Sequence, residues 1–161
     1  MESIILSHPL NYFSFFANSS TPSVKKHMST NSSIILEMPD STYNSVYVHS
    51  DGYLGYNGVI LQRCFKTFDQ VQALISLGDI SYLTACFETV MSYHRWRGDP
   101  ISITKSMMLE DHALYEYNYL FVYNEWQVKQ TRAVWRPLAP LVEHMPMPRI
   151  SESTQTFIAM S

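Results

Sequence analysis

The fold turns on one stretch: Ser33-Ile34-Ile35-Leu36-Glu37-Met38-Pro39-Asp40-Ser41-Thr42-Tyr43-Asn44-Ser45-Val46-Tyr47-Val48-His49. Its first six residues read as a strand, stopped by Pro39-Asp40-Ser41. Proline fixes φ and aspartate bonds its own backbone, so both form turns for separate reasons. The run from Tyr43 to His49, rich in Val and Tyr, reads as the returning strand. A hairpin is the economical link across so short a gap.

Immediately downstream, Asp51-Gly52-Tyr53-Leu54-Gly55-Tyr56-Asn57-Gly58 holds three of the chain's five glycines. Such a density implies unusual dihedrals or close backbone approach. Val59 to Phe65 has a short helical pattern. Thr67-Phe68-Asp69-Gln70 then fits a capping box, with Thr67 as N-cap and the Gln70 side chain returning to it. Val71, Leu74 and Ile75 share one apolar helical face with Phe68, and Gly78 suits a left-handed helix end. Phe87 to Trp96 reads as a strand closed by Gly98-Asp99-Pro100. Ser102 to Leu114 fits either a short helix or an irregular segment. Tyr115 to Tyr123 and Trp126 to Gln130 flank Asn124-Glu125, a spacing suited to a tight hairpin. The sum is an α+β fold: a small antiparallel sheet of four or five strands packed on one or two helices.

At 161 residues the chain is long enough for one ordinary domain that needs no disulfide or metal. Residues 1–32 pass from an apolar start into a Ser/Thr/Asn-rich arm, 33–131 carry the core, and 132–161 form a Pro-rich extension. The extended N- and C-terminal segments therefore frame the core. Hydrophobic residues make up 46% and charged ones 16%, with eleven tyrosines. Tyr offers an apolar body with a polar tip and serves half-buried strands and contact surfaces alike. Net charge is −3; phosphate-neutralising proteins carry a basic surplus, so no direct nucleic-acid binding is expected. Cys64 and Cys86 lack a CxxC partner and read as two buried thiols. No stretch reaches the roughly 18 apolar residues of a membrane span. The early apolar run lacks a basic start, which points to a cytoplasmic protein without a membrane partner.

Two clusters carry candidate chemistry. In His49-Ser50-Asp51-Gly52-Tyr53, a histidine beside an aspartate could form a general base with its orienting carboxylate, although Ser50 sits in no nucleophile-elbow pattern. The bland alternative is a polar strand end. In Tyr93-His94-Arg95-Trp96-Arg97-Gly98-Asp99, strand alternation would put Tyr93, Arg95 and Arg97 on one face, His94 and Trp96 on the other. Two arginines side by side could clamp a phosphate or pair internally with Glu88, Asp99 or Glu110; left outward, they resemble a protein-interaction hot spot. His49, His94, His112, Asp51 and Asp111 show no recognised metal-ligand spacing, and no phosphate-binding glycine motif is present. No catalytic residue, metal or cofactor is therefore assigned. Trp135-Arg136-Pro137-Leu138-Ala139-Pro140-Leu141-Val142 either covers the sheet or docks on a partner.

Three stretches, Tyr47 to Leu54, Val71 to Ser81 and Tyr93 to Asp99, resemble a set of small phage-encoded accessory proteins of the T4 type, among them modulators of host heat-shock sigma-factor function. The Tyr/Phe-rich hairpin ending at Trp126 fits as well, and the likeness spans roughly half the chain. Ser50 and Trp96 stand where relatives often carry a tryptophan and an acidic residue. The resemblance implies a non-catalytic phage effector in the host cytoplasm that contacts RNA polymerase or a sigma factor. Read from the two clusters and the Pro-rich segment rather than from the resemblance, the candidate interaction residues are His49, Asp51, Tyr53, Tyr93, His94, Arg95, Trp96, Arg97 and Trp135. Two alternatives remain: an anti-defence protein that sequesters a nucleotide signal, and a small phosphate-substrate enzyme using His49, Asp51 and His94.

Overall fold

A computed structural model describes residues 29–150 together with 155, 156, 159 and 160. The expected N-terminal arm falls almost entirely outside them. The hairpin is present: β1 (Ser32–Glu37) pairs antiparallel with β2 (Tyr43–Val48), Ile34 facing Val46. Asp40 makes the turn as anticipated, its carboxylate accepting from the Thr42 amide at 3.1 Å and the Thr42 hydroxyl at 2.6 Å. A widened π turn (Leu54–Gly58) leads into α1 (Val59–Cys64). Helix α2 (Phe68–Ile75) starts at the full Thr67/Gln70 capping box, and Gly78 adopts φ 75° just beyond its end.

The sheet is larger than the sequence suggests and mixed rather than antiparallel. After β3 (Ile80–Tyr82), β4 (Met91–Ser92), β5 (Thr104–Ser106), β6 (Tyr117–Val122), β7 (Glu125–Gln130) and β8 (Arg136–Pro137), the strand order is β4-β3-β2-β1-β6-β7-β8, with β5 also pairing β2. The two long hairpins lie side by side through a parallel β1–β6 pairing, Ile34 opposite Tyr119. Strands of two or three residues carry no readable alternation, which is why β3, β4, β5 and β8 escape a periodicity search.

One face of the sheet holds the core. Ile34, Leu36, Val46, Val48, Tyr119, Phe121, Trp126 and Val128 meet Val59, Leu61, Val71 and Leu74 from α1 and α2. Leu138 and Val142, the latter on α4 (Ala139–Val142), are buried in the same cluster, so apolar residues of the Pro-rich segment cover the sheet. The Tyr119 hydroxyl donates to the Gly52 carbonyl at 2.7 Å and the Trp126 indole to the Phe65 carbonyl at 2.7 Å. Among the described residues no helix is long and apolar enough to cross a membrane.

The segment 102–114 resolves into β5 and a single 3-10 turn, Leu109–Asp111. It is pinned by His112, a buried side chain whose Nδ1 is hydrogen-bonded to the Ser45 hydroxyl at 2.6 Å. Burial lowers the His112 pKa below the ordinary 6.5, against smaller raising contributions from the Ser106 backbone and Asp111. The folded state therefore binds this proton less readily than the unfolded chain does. Stability from His112 is whole above the unfolded value and is lost as pH falls through the lowered folded one. Urea unfolding should show a lower midpoint at pH 5.5 than at 7.5, and His112→Gln should shrink that difference; an unchanged difference in the variant would contradict the assignment.

Candidate interaction site

The strand expected over Phe87 to Trp96 is not formed. Phe87–Thr89 is one 3-10 turn, β4 takes two residues, and α3 (Tyr93–Arg97) is a short helix. Local capping chemistry explains the outcome. The Ser92 hydroxyl accepts from the Arg95 amide at 3.1 Å, and Gly98 closes the other end at φ 71°. An N-cap serine and a following glycine, six residues apart, were the signal that the apparent alternation masked.

Helical spacing regroups the side chains. Tyr93, Trp96 and Arg97 stand at i, i+3 and i+4 and share one face. The Arg97 guanidinium lies 4.5 Å from the Tyr93 ring centroid and 5.3 Å from that of Trp96, and it pairs with Asp99 at 2.8 Å. Arg95 turns away: it donates to the Phe87 carbonyl at 2.8 Å and lies over the Phe87 ring at 4.7 Å. The arrangement with both arginines beside Tyr93 is thus corrected, and the phosphate clamp built on it has no geometry. His94 leaves this stack, its Nδ1 donating to the Asp99 carbonyl at 2.8 Å.

Asp79, within the Val71 to Ser81 stretch and without a role read from sequence, is the joint of the site. Its carboxylate accepts from the Tyr47 amide at 2.8 Å and its carbonyl from the Tyr93 amide at 3.0 Å. It thereby ties β2 to the start of α3. Directly after it, β3 slots between β2 and β4, with Ile80 opposite Val48 on one side and Ser92 on the other. The His49 amide donates to the Ile80 carbonyl at 2.9 Å, so both candidate clusters meet at this corner of the sheet. A cleft of about 230 Å³ opens here, lined by Asp79, Tyr93, His94, Arg97 and Asp99 among others. The one local cue to Asp79 was its place right after the left-handed Gly78.

The remaining candidates divide. The Tyr47 hydroxyl and His49 Nδ1 are hydrogen-bonded at 2.8 Å, and the Tyr47 ring packs on Tyr115 with centroids 5.0 Å apart. Burial holds the Tyr47 and Tyr115 phenols above their ordinary pKa, which keeps them neutral. Asp51 takes φ 55°, and its negative charge helps raise the Tyr82 pKa, after the larger effects of burial, which raises it, and of the Tyr56 hydrogen bond, which lowers it. Tyr53, 41% exposed, packs on Tyr56 at 6.4 Å in the same group. Half-buried Trp135 precedes β8, at the opposite end of the strand order from β4, and so does not join the α3 face.

Cys64 is half-buried and Cys86 exposed, and both are free thiols, so the reading of two buried cysteines fails at Cys86. Among the described residues no group of three or more His, Cys, Asp or Glu side chains is placed to hold a metal ion. No family model, curated protein or solved structure matches the chain.

Proposed function

We propose that the chain is a non-catalytic effector of phage type that binds a protein of the host transcription machinery, RNA polymerase or a sigma factor, through the α3 face. The observation that carries the reading is the Tyr93–Arg97–Trp96 stack. Trp96 is 41% exposed, and the Arg97 side chain keeps 50% of its surface accessible. Tyr, Trp and Arg are the residue types that dominate protein-interface energetics. A capped helix and a stacked guanidinium fix their geometry before contact, which lowers the ordering cost of binding.

The choice of transcription machinery rests on the family resemblance. Residues from all three resembling stretches, including His49, Asp79 and Tyr93, come to the same corner of the sheet. The two alternatives draw less support from the geometry. Sequestering a nucleotide calls for guanidinium groups ready to take phosphates, and here Arg95 is spent on backbone carbonyls and Arg97 on Asp99. Catalysis calls for convergence of His49, Asp51 and His94, whose neighbours in the fold are Tyr47, Tyr82 and the Asp99 carbonyl respectively.

Affinity capture from host lysate with the full chain and with Trp96→Ala tests the proposal. Truncating a central hot-spot side chain costs about 2 kcal/mol, roughly a 30-fold weaker Kd. Wild type should retain polymerase subunits or a sigma factor, and the variant should lose them. Recovery of neither by wild type would overturn the reading.

A further inference from the structure

The geometry points to a second binding site, in the cleft between α2 and the Phe87–Thr89 turn, whose occupant is a cationic side chain with an apolar stem, arginine before lysine, presented by a protein. The cleft measures about 470 Å³, within the roughly 300–1,000 Å³ of small-ligand sites. Phe65 and Phe87 wall it, Cys64 and Cys86 line it, and Asp69 and Glu88 supply carboxylates; no lysine or arginine is among its lining residues. Apolar walls suit a methylene stem, and the carboxylates suit the charged head through charge-assisted hydrogen bonds.

Two nearby arginines are already engaged, while the exposed Lys66 beside Phe65 lies outside the lining. Arg63 donates to the Val142 and Met145 carbonyls, and Arg95 to those of Phe87 and Val90. The Phe87 ring already carries the Arg95 guanidinium at 4.7 Å, so aromatic recognition of this very group is present at the cleft's edge. Glu88 is the anchor. The Cys86 thiol donates to its Oε2 at 2.7 Å, which holds the carboxyl below its ordinary pKa and fully ionised near neutrality. Asp69 lies in the first turn of α2, where the positive end of the helix offsets part of its charge. The site stands independently of what the α3 face binds.

Because the Cys86 thiol touches the anchoring carboxylate, it reports occupancy. The test measures alkylation of Cys86 by neutral N-ethylmaleimide in the full chain, by mass spectrometry, against increasing pentylguanidinium, pentylurea or hexanoate. Comparing half-protection concentrations removes any change in intrinsic thiol reactivity between variants. Pentylguanidinium should protect at the lowest concentration, its neutral isostere less, and hexanoate least. Glu88→Gln should raise the pentylguanidinium half-protection concentration about threefold, and Asp69→Asn should raise it less. Equal protection by all three probes, no protection by pentylguanidinium, or a Glu88→Gln value equal to wild type would each overturn the proposal.

Discussion

Gly52→Ala should destabilise the protein by about 3 kcal/mol, at the upper end of what overpacking costs. A Cβ at this position would sit 2.8 Å from the Asn31 carbonyl carbon, the Ser32 Cβ and the Thr30 carbonyl oxygen. Two are backbone atoms entering β1 and the third is the Cβ fixed to its first residue, so none can yield as the end of a flexible side chain would. Movement there would also disturb the Gly52 amide bond to the Thr30 carbonyl at 2.7 Å and the Tyr119 hydroxyl bond to the Gly52 carbonyl. Gly55→Ala is the matched control. Its added methyl would meet only the Tyr53 ring, at 3.5 Å, an ordinary contact. Urea unfolding of both variants should separate them clearly. Similar midpoints for the two would show that loop flexibility, and not close approach, explains the glycine.

Trp126→Ala should cost still more of the core, about 4 kcal/mol for a large aromatic side chain removed from a packed site. Trp126 is 3% exposed and meets the Phe121 ring edge-on at 5.1 Å. Its indole is also the donor for the Phe65 carbonyl at the end of α1, which truncation leaves unpaired. Trp126→Phe keeps most of the volume and drops the donor, so it should lose about 1–3 kcal/mol. Denaturant titration of the three proteins should rank them wild type, phenylalanine, alanine. Equal losses in the two variants would mean that the hydrogen bond, with no contribution from packing, sets the cost.

The same residues show where sequence reading succeeds and where it stops. The β1–β2 hairpin and the capping box of α2 were legible because Pro39-Asp40 and Thr67-Gln70 act through neighbours a few residues away. The β6–β7 hairpin was legible too, but its turn falls one residue earlier, on Tyr123 and Asn124, with φ 52° and 58°. Positive φ at both central positions is the hairpin geometry that favours Asn-Gly, so a tyrosine there gives no warning. In the glycine loop, close approach was right for Gly52, while the unusual dihedral lies on Asp51.

Long-range pairing left no local trace. The parallel β1–β6 register joins residues some eighty positions apart, and nothing in either strand names the other. The candidate site was half legible. Tyr93, Trp96 and Arg97 were on the page as residue types that make contacts, yet their grouping depends on helix periodicity, and a short run of alternating polar and apolar residues suggested a strand. Asp79 was invisible as a site residue because its role is to join β2 and α3, which only the folded chain brings together.

The proposed function depends on α3 presenting a preformed aromatic–guanidinium face to a protein. Isothermal titration of the purified chain against a purified host heat-shock sigma factor, and against RNA polymerase, measures that contact directly. The expected result is saturable binding to at least one of them, with Kd about 30-fold weaker for Trp96→Ala and unaltered folding of the variant. Binding of equal strength by wild type and Trp96→Ala, or no binding to either partner, would contradict it.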